Sequence, residues 1–262
     1  MITVGITTYN RIEVVRKMAK SLYDSIGIEE CNIRIYDDCS SEYGVEELKE
    51  LFPSAVKIFR QSKNMGADLN TWFMYIDFLN SSDNYFFNAD SDLIFDRFWI
   101  QKGLENLKYT DGVLSLFNTK NHPSIKEFNE SLCIKQHVGA AGTLFTRGCI
   151  ELIVNELKNT SHDSIDWRWC KVLNDNKKNI YVLNKSAVQH IGFWGQNSDV
   201  YTYDYGVGFE VNSLVNAKIL CELNDEYIKT VQKLKENYCN KCKLYPVKKL
   251  LKYIKYNFCL RK

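Results

Sequence analysis

Apolar and polar positions change period several times along the chain. Ile2 to Thr8 is a β-branched run with little polar alternation, suited to a strand buried on both faces. Val14, Val15, Met18, Ala19 and Leu22 then recur at helical spacing, with Asn10 the expected N-cap, Glu13 its capping-box partner and Gly27 the stop. The alternation continues with strands over 32–37, 55–60 and 84–89 and helices over 45–51, 66–79 and 96–107. This β-α-β-α-β-α-β order predicts an α/β protein with a doubly wound, mostly parallel sheet flanked by helices. Ligands of such sheets sit beyond the C-terminal ends of the strands. The second half is mixed. Strands are expected over 112–117, 142–146, 180–183 and 186–190, and helices over 148–157, 163–173, 225–238 and 246–258.

Composition narrows the class. With 262 residues, 45% hydrophobic and 25% charged, the chain suits one large domain with an extension and excludes a disordered protein. The expected division is a domain over 1–222, with halves 1–110 and 111–222, and a helical tail over 223–262. No apolar run reaches the ~18 residues of a membrane span. The N-terminus reads as a strand and not as a signal peptide, so a cytoplasmic protein is expected. Nine scattered cysteines suit reduced thiols, and Cys239–Cys242 lacks the second pair that a zinc site wants. Residues 241–262 hold eight Lys or Arg and no acid, leaving 26 basic against 32 acidic residues elsewhere. A mildly acidic body excludes a broad nucleic-acid-binding surface. In the tail, Val247, Leu250, Leu251, Ile254 and Phe258 form one stripe, with lysines mostly elsewhere. That pattern fits a helix lying peripherally on the inner face of an anionic membrane, or one packed on the domain.

Candidate chemistry falls at the strand ends. Thr7-Thr8-Tyr9-Asn10-Arg11 ends the first strand, Asp37-Asp38-Cys39-Ser40-Ser41 the second, Asn64-Met65-Gly66 follows the third, and Asp90-Ser91-Asp92 ends the fourth. In a parallel sheet these four clusters share one edge. Asp90 and Asp92, two apart on extended chain, point the same way and repel unless a cation lies between them. Mg²⁺ or Mn²⁺ takes such hard oxygen ligands and often bridges diphosphate oxygens.

Together these four clusters resemble the ordered motifs of GT-A glycosyltransferases, family 2 in particular. The resemblance implies a metal-dependent transfer of sugar from a nucleotide-sugar, a UDP-sugar in the first instance, to a hydroxyl acceptor with inversion. The acceptor would be a saccharide or lipid-linked saccharide, in cell-surface polysaccharide or glycolipid synthesis. Thr7, Tyr9 and Asp38 would hold the uracil end, and Arg11 and Ser91 would also contact donor. Gly66 and Asn70 would line the nucleotide pocket. Asp90 would face ribose or metal, and Asp92 would ligate the metal. Two positions depart from the pattern. Cys39 stands where family members carry glycine, which predicts an altered turn, and Asn88 stands where some carry another acid.

Three later segments fit the same resemblance. Val138-Gly139-Ala140-Ala141-Gly142-Thr143 resembles the small-residue strand near sugar and acceptor; tight strand packing is the alternative. Ser186 to Gly192 resembles a segment whose histidine, here His190, joins the metal. Ile165-Asp166-Trp167-Arg168-Trp169 resembles the acidic motif of the acceptor-side helix. Asp163 and Asp166 are the candidates for the catalytic base. Asp163 suits an N-cap, and Asp166 lies between Trp167 and Trp169, two possible platforms for sugar rings, so Asp166 is the expected base. The competing functions are a nucleotidyltransferase and a catalytically silent sugar-binding scaffold. The first wants a glycine-rich basic loop after strand one, where this chain has Thr-Tyr-Asn-Arg.

Overall fold

The computed structural model describes residues 1–192 and 204–239. The first half runs β1 (Ile2–Thr8), α1 (Ile12–Tyr23), β2 (Cys31–Asp37), α2 (Val45–Leu51), β3 (Lys57–Arg60), α3 (Ala67–Leu79), β4 (Tyr85–Asp90), β5 (Leu93–Phe95) and α4 (Trp99–Leu107). The second runs β6 (Val113–Ser115), β7 (Ser124–Glu127), β8 (Leu132–Lys135), β9 (Thr143–Thr146), α5 (Arg147–Leu157), α6 (Ile165–Asp175), β10 (Ile180–Leu183), β11 (Val188–His190) and α7 (Leu214–Cys239). Nine strands form one sheet in the order β3-β2-β1-β4-β9-β6-β10-β8-β7, and β11 pairs with β5 in a second.

The parallel half is the expected one. β1 lies between β2 and β4, and β3 edges β2, all parallel. Thr8 is opposite Asp37, Thr7 opposite Asp90, and Asp37 opposite Arg60, so the C-terminal strand ends line up on one edge. Alternating side chains divide the core. Val4, Ile6, Ile33, Ile35 and Phe87 pack with α1, α2 and α4 on one face. Tyr36, Phe86 and Phe145 pack with α3, α5 and α6 on the other. Gly5 lets α3 lie close on β1, because a Cβ there would stand 2.5 Å from Met74 Sδ.

Several expectations give way at element ends. Asn10 does not cap α1. It and Arg11 both take left-handed backbone, with φ 52° and 57°, and Arg11 occupies the N-cap position. The Ile12 N–H is satisfied from another loop, by Glu42 Oε2 at 3.1 Å. Glu13 pairs instead with Arg16. Gly27 does not end α1, which stops at Tyr23; it starts a short 3₁₀ turn at φ 85°. Asp96 lies before α4, where its buried carboxylate accepts from Lys102 and the Phe98 N–H. The helix expected at 225 begins at Leu214. By backbone contacts Met1–Asn216 is one compact unit and Ala217–Lys262 another. The helix expected over 246–258 and the Cys242 thiol lie outside the described residues. No helix among the described residues is long and apolar enough to cross a membrane.

Candidate functional site

The strand-end loops are bound to one another by side chains. Asp37 is fully buried, pairs with Arg60 at 2.8 Å and accepts from Thr8 Oγ1 at 3.1 Å and the Ser40 N–H at 3.1 Å. Arg60 also donates to the Tyr43 carbonyl at 2.9 Å. Asn10 Oδ1 accepts from the N–H groups of Ser41 and Glu42 at 2.7 and 3.2 Å, joining the first loop to the second. Asp38, almost fully buried, accepts the Met65 N–H on one oxygen and the Gly66 N–H on the other, at 2.7 and 2.8 Å. It therefore clamps the third loop to the second and sets where Gly66 lies. Asn70 is buried and turned inward, donating to the Tyr36 carbonyl at 2.8 Å. Tyr9 and Gly66 are half-buried at the same edge. Cys39 takes φ 62°, the left-handed conformation that glycine adopts freely. The turn thus keeps a backbone suited to glycine, and the altered turn expected there is not what the cysteine produces.

At the end of β4 the carboxylates gather cations. Thr7 Oγ1 donates to Asp90 Oδ1 at 3.3 Å. Arg11 Nη2 lies 3.1 Å from Asp92 Oδ2, and His190 Nδ1 3.4 Å from Asp92 Oδ1. The strand pair β5–β11 brings this histidine in: His190 is opposite Leu93, and the Ile191 N–H donates to the Asp92 carbonyl at 2.7 Å. Phe117 meets the imidazole edge-on at 4.8 Å. Burial, and then the neighbouring Asp92 charge, pushes Asp90 up to about 6. Burial would raise Asp92 too, but His190 and Arg11 outweigh it and hold it down to about 2. Burial opposes charge on His190, yet Asp92, Asp90 and Asp204 together raise its pKa. Ser91 is buried between the two carboxylates. One pleat earlier, Asn88 is fully buried, and neither of its amide atoms has a partner among the described residues.

Two carboxylates and an imidazole are the right kinds of donor for Mn²⁺ or Mg²⁺. Among the described residues, however, no three His, Cys, Asp or Glu side chains already converge as a ligand set.

The acceptor-side segment is organised by a residue that sequence reasoning passed over. Asp68, in the first turn of α3, accepts the N–H groups of Ser164 and Ile165 at 2.9 and 3.1 Å and caps α6 from outside. Asp163 is exposed and bonds to Ser161, so it is not the cap. Asp166 is half-buried, and burial, with Asp68 nearby, raises its pKa. The two tryptophans differ: Trp169 is fully buried in the core and offers no platform, whereas Trp167 is exposed. The pKa of the buried Tyr75 phenol is raised first by burial and then by the Asp166 and Asp90 charges.

Comparison with solved structures finds the same fold. Staphylococcus aureus TarS (residues 1–349) is 11% identical with a TM-score of 0.51, covering 71% of this chain and 59% of that one. Its complex with UDP-GlcNAc gives 13% and 0.52, covering 71% and 57%. A mannosyltransferase from Pyrobaculum calidifontis, in complex with GDP-Man and Mn²⁺, gives 12% and 0.52, covering 70% and 55%. The chain thus spans less than two thirds of these relatives. No curated protein matches it. The model of the family described as glycosyl transferase family 2 matches residues 3–131. That segment holds all four strand-end clusters, and with the α/β fold shared with these neighbours it makes the chain similar to glycosyl transferase family 2 over residues 3–131.

Proposed function

We propose that the protein transfers a sugar from a nucleotide-sugar to a hydroxyl of a saccharide or lipid-linked saccharide, with inversion. The observation that carries this is the convergence of Thr7, Arg11, Asp90, Asp92 and His190 at one end of the parallel sheet. The reading draws further support from relatives whose structures hold UDP, UDP-GlcNAc or GDP-Man. In this scheme the nucleoside lies over the loops that Asp38 clamps, near Thr7, Tyr9 and Gly66. Asn70 supports that wall from behind. The diphosphate reaches Asp90, Ser91 and Asp92, with Arg11 beside it.

Asp90, Asp92 and His190 are the groups suited to hold Mn²⁺ or Mg²⁺, which when bound neutralises charge on the diphosphate. In the transfer itself the acceptor oxygen bonds to the anomeric carbon as the bond to the diphosphate oxygen breaks, and that oxygen keeps the electron pair. Asp166, ionised, takes the hydroxyl proton. Synthesis of surface glycan is the role that the family resemblance suggests, and the basic tail is the segment suited to a membrane contact at its cytoplasmic face.

Incubating the protein with UDP- and GDP-sugars, with and without Mn²⁺, and measuring diphosphonucleoside release tests this reading. Release from one donor, lost in Asp92→Asn, is expected. No release from any donor in the presence of a mixed glycan acceptor pool would count against glycosyl transfer.

A further inference from the structure

Trp167 belongs to a cluster that the donor cleft does not account for. It stands in the first turn of α6 beside Asp166 and is 59% exposed. One exposed tryptophan is ordinary, but one face of this ring is already covered. His137 stacks on it, with centroids 3.5 Å apart and planes 26° from parallel. His137 is held in turn by His122, Nδ1 to Nδ1 at 3.3 Å, so one imidazole donates and the other accepts. Burial, then repulsion from His122, pushes His137 down to about 4, and burial lowers His122 as well. The pair is therefore neutral at physiological pH. His137 Nε2 has no partner among the described residues.

Gly139 supplies a second, independent observation. A Cβ there would meet nothing within 4 Å, and its φ lies outside the left-handed region. The backbone is open there, with room for a ligand to come close. Gly142 is the contrast: its φ is +74°, and a Cβ would stand 2.7 Å from Val188 Cγ2. Asp204 accepts from Thr119 Oγ1 and Asn121 Nδ2, next to His122 in the chain, and Asp166 adjoins Trp167 in α6.

We propose that Trp167, His137, His122 and Gly139 form a subsite for an uncharged pyranose ring of the acceptor. This rests on the glycosyl-transfer reading. The C–H face of the sugar packs on the free face of Trp167, its hydroxyls bond at the edge of His122, and one hydroxyl is brought to Asp166. Acidic sugars are disfavoured because the Asp204 and Asp166 charges both act on His122. The nearby buried cation, Lys135, is tied to Asn118 Oδ1 and the Thr119 carbonyl, each at 2.7 Å.

Saturation-transfer NMR on the full chain tests this, with methyl β-glucopyranoside, methyl β-galactopyranoside and methyl β-glucuronide as probes. Ring C–H signals are expected from at least one neutral glycoside and weaker ones from the glucuronide. Trp167→Ala should weaken neutral-glycoside binding about tenfold, Trp167→Phe should keep most of it, and Gly139→Ala should weaken it without loss of fold. UDP and GDP affinity, measured by calorimetry, should stay within about twofold in all three variants. Wild-type protein that gives no glycoside signal, signals that survive in Trp167→Ala, or a preference for the glucuronide would overturn the subsite. A protein that binds nucleotide but no glycoside loses this inference alone; one that binds no nucleotide loses the glycosyl-transfer reading itself.

Discussion

Gly192 follows β11 and lies against the Asp92 carboxylate. A methyl group at Gly192 would stand 1.9 Å from Asp92 Oδ2, 2.7 Å from Cγ and 3.0 Å from Cβ. Ordinary contact begins at 3.4 Å. In Gly192→Ala the carboxylate must therefore swing away by about 1.5 Å, past the ~1 Å misplacement that already costs on the order of a hundredfold in a positioned reacting array. The swing also breaks the 3.1 Å pair with Arg11. The backbone at Gly192 is not left-handed, so alanine adds no φ strain. The clash falls on a side chain rather than on backbone, and overpacking of this kind costs ~1–3 kcal/mol. Nucleotide-sugar turnover should fall about a hundredfold in protein that is still folded at the assay temperature. Gly148→Ala in α5, where a Cβ meets nothing within 4 Å, is the control and should keep normal turnover. Steady-state kinetics with parallel thermal melts reads both. A folded Gly192→Ala enzyme with wild-type kcat/KM would refute the idea that Asp92 must sit where the structure puts it.

Three other outcomes follow from separate parts of the structure. Asp166→Asn should leave donor affinity unchanged and cut turnover by about a hundredfold or more. In the wild type, protonation silences the base, so the acid limb of the pH–rate profile should lie above the ordinary carboxylate value, in keeping with the raised pKa of this buried group; a limb at or below that value would speak against Asp166. Cys39→Gly relieves a left-handed φ that costs an L-residue about 1–2 kcal/mol, less about 0.5–1 kcal/mol for the freer unfolded chain, so urea denaturation should show a small gain in stability. Asp77 accepts from Arg34 and Tyr36 at 2.8 and 2.7 Å and pairs with Lys57. Burial would raise its pKa, but these three donors outweigh it and lower it. Its contribution is thus present at neutral pH and lost as pH falls through the depressed value, and Asp77→Ala should cost about 3 kcal/mol in chemical denaturation at pH 7.

The parallel half of the fold was legible because β1, β2 and β4 are runs of β-branched and aromatic residues with helical spacing between them. Three short strands escaped, β5, β7 and β8, of three or four residues each. Leu93-Ile94-Phe95 is too short to stand out, although β5 is what carries β11 and His190 to Asp92. β7 is exposed throughout and shows no apolar face. Helix caps failed for one shared reason: the N–H groups of α1 and α6 are satisfied by Glu42 and Asp68, which local sequence cannot reveal. The same holds at the site. The motif points Asp38 toward the nucleotide, but its grip on Met65 and Gly66 is a tertiary fact. His122 and His137, 15 residues apart in sequence, have no motif spacing, and only the fold stacks them on Trp167.

The central claim is that a nucleotide diphosphate and its metal are held at Asp90 and Asp92. Electron paramagnetic resonance titration of Mn²⁺ tests it most directly, because protein-bound Mn²⁺ loses the sharp signal of the free ion. In the presence of UDP or GDP the wild-type chain should sequester one Mn²⁺, and Asp92→Asn should weaken that affinity by at least about tenfold with the fold intact. Equal Mn²⁺ binding by both proteins, with nucleotide present, would contradict the account.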